Sequence, residues 1–395
     1  MAPPGLTRRA HAELHVALAF LVAWQAAALA GAPRETAVWL GLLGFVFHVV
    51  FAKAYTLVPS YFARELAVPR APVVQLPLTA IGAAGLAAAA GGWTPDWVGA
   101  AAGLAWLAGV LVFVGALVWT VRGNLLGAET GTSDPNADRR PVDRFANAFV
   151  PVVGAYLLVG SYELAAAWTR LPGLFDGYAP RAAHLLAAGS AALLVFAVGF
   201  RLLPRFLVAH PPRVLVGVVL PAGALGPALI AAALPAGPVF VVGAALEATA
   251  VVGFAAAYAW LFYQSGRRRI GFYPVGLGVL AGTVAVLLGL HMAVTGPLAA
   301  VARAHARLNL LGFLGLTVVG VTFQFYPPAA GRFPGASDRT GLAVVGVLAG
   351  GLFVEVVGHL AGVAPLVAIG RALALAGAAG YAALLVGLLR RLRNR

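Results

Sequence analysis

Residues 304–328 read AHARLNLLGFLGLTVVGVTFQFYPP, and the same pattern occurs twice more: GLLGFVFHVVFAKAYTLVPSYF at 41–62 and AHLLAAGSAALLVFAVGFRLLPRF at 183–206. In each, a Gly stands fifteen residues before a Pro: Gly44 and Pro59, Gly189 and Pro204, Gly312 and Pro327. Four residues before each Pro stands an aromatic: Tyr55, Phe200 and Phe323. Gly lets a neighbouring helix approach closely, and Pro stops a helix near the membrane edge. With 49 Gly and 26 Pro in the chain any one match has little weight, so the placement of all three along the chain carries the reading.

The chain around these stretches has 395 residues, of which 61% are hydrophobic and only 10% charged. A soluble domain needs about 25% charged residues to cover its surface, so the chain reads as a membrane-embedded helix bundle. Apolar runs broken by Pro, Gly or charge give twelve candidate spans: 14–31, 37–58, 73–92, 97–120, 145–167, 182–203, 214–235, 238–263, 271–295, 305–327, 341–362 and 365–389. The start, MAPPGLTRRAHAELH, shows no small-residue cleavage site after a short apolar core, so the first span is expected to be retained. There is no Cys, which excludes disulfides, iron–sulfur clusters and thiolate metal sites.

The net charge of +14 invites a nucleic-acid reading, but the arginines are spread through short loops, where they orient a membrane protein; no nucleic-acid partner is expected. Of the 27 basic residues, 20 fall on the side that twelve spans give to both termini, Arg395 among them, six fall on the other, and Lys53 lies within a span. Basic loops face the cytoplasm, so the expectation is a multi-pass protein integral to the cell membrane with both termini cytoplasmic.

The three motif stretches are spans two, six and ten, four helices apart. Their prolines are 145 and 123 residues apart, and the excess of 22 is close to the length of the polar loop at 121–144. This is the arithmetic of one transmembrane domain over 1–395, built from three four-helix units at roughly 10–120, 145–263 and 271–389, with 121–144 as a flexible cytoplasmic linker. It disfavours two six-helix halves.

Ionisable groups inside spans are costly and mark functional candidates. His184 begins span six, His305 begins span ten, His291 is near the end of span nine and His359 near the end of span eleven, all toward the non-cytoplasmic face. Two imidazoles from facing helices complete the iron of a low-spin b-type haem, and imidazole also binds copper or zinc. An imidazole at a helix end can equally hydrogen-bond interfacial water. Glu355, one turn from His359, could orient it. His48, Lys53, Glu163 and Glu247 are candidates for a proton or solute path; Lys53 is expected to snorkel to the interface. His11 and His15, flanking Glu13, are expected in a wet N-terminal segment, and no phosphate loop, His-Glu-x-x-His or G-x-S-x-G motif occurs.

The segment Ala304–Phe313, continuing to the Phe-Tyr-Pro at 325–327, resembles the tenth-helix signature of integral membrane proteins like subunit I of the haem-copper oxidases, and span six is similar to its counterpart. The resemblance implies an all-α fold of twelve transmembrane helices in three pseudo-repeated four-helix arcs, with haem ligands toward the outer face. It also marks departures. The family's haem-ligating His near the outer end of helix two is missing from 37–41, span seven (214–235) has no His, and Arg307 stands where the tenth helix often carries a second His. A complete dinuclear oxygen-reducing centre cannot be assembled, so a competent terminal oxidase is not expected. The resemblance implies instead a degenerate member binding haem b, or less favourably copper, through His305 with His184 or His359 and with His291 in reserve. Its role would be electron transfer, sensing or an accessory function beside respiratory-chain membrane subunits or a redox partner. The alternative is a cofactor-free transporter or assembly subunit on the same scaffold.

Overall fold

The computed structural model describes residues 4–393; residues 1–3 and 394–395, with Arg395, lie outside the described residues. These form helices and, among the described residues, no strand. Twelve spans are long and apolar enough to cross a membrane. We label them α1 (Leu6–Leu29), α2 (Arg34–Tyr61), α3 (Ala71–Ala90), α4 (Asp96–Val121), α5 (Asp134–Ala166), α6 (Ala179–Leu207), α7 (Arg213–Ala233), α8 (Pro238–Gln264), α9 (Phe272–Thr295), α10 (Ala299–Ala330), α11 (Asp338–Ala361) and α12 (Ala364–Arg391). Exposed apolar side chains such as Ile81, Leu111, Leu280 and Phe353 give the bundle the surface that a lipid bilayer requires. An even number of spans with short connections returns both termini to one end; we call this the terminal end and the opposite one the far end.

The three motif helices form the centre. Their most apolar windows are 78% (α2), 72% (α6) and 72% (α10) buried, against 28–50% for the other nine. All three touch one another, and each contains a stretch of wide π-helical turns: Leu40–Phe47, Leu185–Ala192 and Leu308–Leu316. The motif glycines lie in these stretches and admit the preceding helix. Gly44 faces Phe20 of α1, Gly189 faces Tyr156 of α5 and Gly312 faces Ala281 of α9, each so close that a Cβ would collide. The motif aromatics meet the helix two places on: Tyr55 packs edge-on against Phe113 of α4, Phe200 against Phe254 of α8 and Phe323 against Tyr381 of α12, with ring centres 5.1, 5.4 and 5.6 Å apart. Such pairs add about 0.5–1.5 kcal/mol beyond their burial.

The largest departures from the expected boundaries have physical causes. α1 starts well before residue 14, because its first turns pack inside the bundle, and Glu13 is 1% exposed rather than wet. The 121–144 stretch is tied down and is not a flexible linker. Asn124 donates to the Phe62 carbonyl at 3.0 Å, Arg64 pairs with Glu129 at 2.6 Å, and residues 140–147 form a short helix. Asp143, buried on that helix, accepts from Arg205 at 2.6 Å and Thr132 at 2.5 Å and lies 3.5 Å from Arg201. Arg201, assigned to a loop side from sequence, is 2% exposed and also donates to the Tyr61 carbonyl at 3.0 Å. A buried guanidinium needs a counter-charge, and the 121–144 segment supplies it in Asp143.

Candidate functional site

Of the four far-end histidines, two converge. His184 lies in the second turn of α6 and His305 in the second turn of α10, and their rings stand 6.3 Å apart, centre to centre, with planes 25° from parallel. Each ring is held through Nδ1 by a main-chain carbonyl: His184 by Pro180 at 2.7 Å and His305 by Ala285 of α9 at 2.8 Å. A carbonyl only accepts, so each Nδ1 carries the proton and each Nε2 keeps its lone pair. Asn309 Nδ2 lies 3.2 Å from Nε2 and 3.4 Å from Nδ1 of His305. With Nδ1 protonated, the Asn309 amide is the donor within reach of the Nε2 lone pair, and a ligand at that nitrogen would replace this contact. Gly289 of α9 makes room for the ring, since a Cβ there would meet His305 Cε1 at 2.9 Å.

Both imidazoles line a cavity of about 260 Å³, close to the lower end of the 300–1,000 Å³ typical of small-molecule sites. Its walls come from α2, α6, α7, α8, α9 and α10 and are mostly Ala, Val, Leu and Phe; Arg34 at the start of α2 and Glu247 of α8 are its charged residues. At the rim, Arg181 donates to Asp176 at 2.9 Å, and this hydrogen bond holds the exposed Asp176 carboxyl below its ordinary range.

The structure does not bring the other two histidines to this pair. His291 is exposed and sits beside Thr295 on its own helix. His359 is buried 3.6 Å from Glu355, but it lies outside the cavity lining. Glu355 does more than orient that imidazole: it accepts from Arg307 Nε at 2.8 Å and from Arg371 Nε at 2.9 Å. Arg307 also donates to Gln25 of α1 at 2.7 Å and lies over the Trp24 ring. The position where the family often carries a second histidine is thus occupied by a guanidinium bound in an ionic knot with Glu355, and a guanidinium cannot ligate a metal.

The path candidates also separate. Glu163 accepts the Leu174 N–H at 2.6 Å and so pins a far-end loop. Lys53 does not snorkel: Nζ donates to Tyr326 at 3.0 Å and lies over the Phe325 and Tyr326 rings. His48 is fully buried and paired with no carboxylate; its Nδ1 meets the Leu43 carbonyl at 2.9 Å and its Nε2 meets Thr79 at 3.1 Å. Its ring is flanked by Phe20 and Phe51. Glu247 alone of these candidates lines the cavity. Sequence reasoning missed Arg34, whose only signal was its place at the head of a span.

Fold and site together define an all-helical, multi-span membrane protein with an imidazole pair in a far-end cavity. No known family's sequence model matches the chain, and no curated protein matches it.

Proposed function

We propose that this is an oxidase-subunit-I-like membrane protein that holds a b-type haem between His184 and His305 at the outer face of the cell membrane, in an electron-transfer, sensing or accessory role. The observation that carries the reading is the pair itself. Two metal–imidazole bonds of about 2.0–2.1 Å in line, with each ring centre set back behind its nitrogen, separate the ring centres by about 6 Å, and the rings stand 6.3 Å apart with each Nδ1 already held by a main-chain carbonyl. Among the described residues no three His, Cys, Asp or Glu side chains gather to hold a metal ion. That favours haem over bare copper, because a porphyrin brings four nitrogens of its own and asks the protein only for axial ligands. The apolar walls suit a macrocycle, and Arg34 offers a cation to a carboxylate at its edge. A bound haem supplies a one-electron couple; the chain's part is to fix tautomer and ring orientation and to keep the site apolar.

The three-unit architecture belongs to the same reading. It is supported by matched π-turn stretches, by glycines that each receive the preceding helix and by aromatics that each meet the fourth helix of their own unit. The ionic knot at Arg307 removes the second ligand place on α10, which argues against a terminal oxidase. The direct test is the absorption spectrum of purified protein. Haem binding predicts a Soret band that shifts on reduction and is lost in His305→Ala and in His184→Ala; colourless protein that takes up no added haem would overturn it.

A further inference from the structure

A second polar group in the cavity has no place in the haem reading. Glu247 of α8 is 8% exposed, its carboxyl lines the cavity, and its Oε2 is buried with no hydrogen-bond partner. That oxygen is pressed against α7 at Gly226, where a Cβ would come within 3.1 Å of it. The tight crossing of the two helices therefore holds the carboxyl in place. α6, α8 and α10 all run inward from the far end, and Glu247 is the tenth residue of α8, whereas His184 and His305 are the sixth and seventh of theirs. At 1.5 Å per residue the carboxyl is carried about one turn deeper than the imidazoles. It is not a third metal ligand, since no three such groups come together among the described residues.

A buried carboxyl on a cavity wall, with one oxygen turned to the α7 backbone and answered by no hydrogen bond, calls for a cationic partner. The walls decide which kind. Ile230, Leu234, Phe240 and Val251 surround this part of the lining and offer no oxygens to replace the hydration shell of an alkali or alkaline-earth ion. They fit an apolar body, and the ring of Phe240 suits a positive charge. We propose that Glu247 is the counter-ion of a ligand-binding site for small organic ammonium compounds: a protonated amine on a short hydrocarbon chain, entering from the far end. This goes beyond the haem reading and does not depend on it; because the two occupants share one cavity, the site is that of the haem-free protein.

The test uses n-butylammonium and its uncharged counterpart n-butanol, titrated into the purified full-length protein and followed by calorimetry or by thermal unfolding. The expected result is binding of butylammonium in preference to butanol. Glu247→Gln weakens the ammonium about 10- to 100-fold, the value of one charge-assisted hydrogen bond, and leaves butanol unchanged, while Glu247→Asp retains the preference. Equal affinity for the two probes, or an ammonium affinity untouched by Glu247→Gln, overturns the proposal, because the carboxyl would then be neutral in an ordinary apolar pocket. Should Glu247→Gln fail to fold, the preference between the two probes in the unmodified protein decides. Two readouts separate the readings: haem content falls in His305→Ala, and the preference for butylammonium over butanol falls in Glu247→Gln.

Discussion

His305 and Arg307 are two residues apart on α10 and head two polar regions built to opposite ends. Around Arg307 the charges close on themselves: Glu355 holds two guanidinium groups, and Gln25 takes a third contact. Around His305 the side chain is fixed just as firmly through Nδ1, yet its ring stands 6.3 Å from that of His184 and lines a cavity. Both Glu355 oxygens and the Gln25 oxygen are spent on neighbours, which makes the network a structural joint, although Arg307 Nη1 and Gln25 Nε2 have no hydrogen-bond partner. A fixed ring whose Nε2 meets only a neutral amide can exchange that contact for a ligand. The lesson is that burial alone does not distinguish structural from functional ionisable groups in a membrane; whether their charge is met by an opposite charge or faces a cavity does.

The sharpest way to break this comparison is Glu355→Ala. It strands two guanidinium groups in an apolar bundle, and the expected loss is about 3–5 kcal/mol of stability, read as a collapse of the unfolding midpoint in detergent; a change below about 1 kcal/mol would contradict the joint. Arg371→Ala leaves Glu355 its bond to Arg307, and Arg371 itself is partly exposed, so about 1–2 kcal/mol is expected in the same assay. His305→Ala should show the reverse profile: haem content falls at least about tenfold, while the unfolding midpoint of the haem-free protein moves little.

How far all this was legible in the sequence follows from the range of the interactions. Span count and the three motif helices rest on local composition and spacing, and the structure gives twelve spans with those three at its centre. The convergence of His184 and His305 was visible only as two imidazoles at corresponding places on spans six and ten, one of several pairings open at that point. The knot at Arg307 was invisible, because its partners lie 48 and 282 residues away and nothing local marks them. The same holds for the 121–144 segment. Its Gly, Asp and Pro content reads as a free loop, and the partners that tie it down, Phe62, Arg64, Arg201 and Arg205, are all distant in the chain.

The remaining predictions are smaller and sharpen the contrast. His359→Ala should leave haem binding unchanged, because that imidazole faces Glu355 and lies outside the cavity; lost haem would return it to the ligand set. At the rim, the Asp176 carboxyl is lowered by its hydrogen bond from Arg181. A lowered carboxyl contributes stability above its unfolded pKa of about 4 and loses it as pH falls through the folded value. Acidification below about pH 4 should therefore loosen the 170–181 loop, read as faster amide exchange there, and Asp176→Asn should abolish the pH dependence.

The central claim is that His184 and His305 grip one iron from opposite sides. Electron paramagnetic resonance of the ferric, haem-loaded protein tests it most directly. The account predicts a low-spin, bis-imidazole signal that converts to high spin in both His184→Ala and His305→Ala and persists in His291→Ala and His359→Ala. A high-spin signal in the unmodified protein, or a low-spin one that survives loss of either ring of the pair, would contradict it.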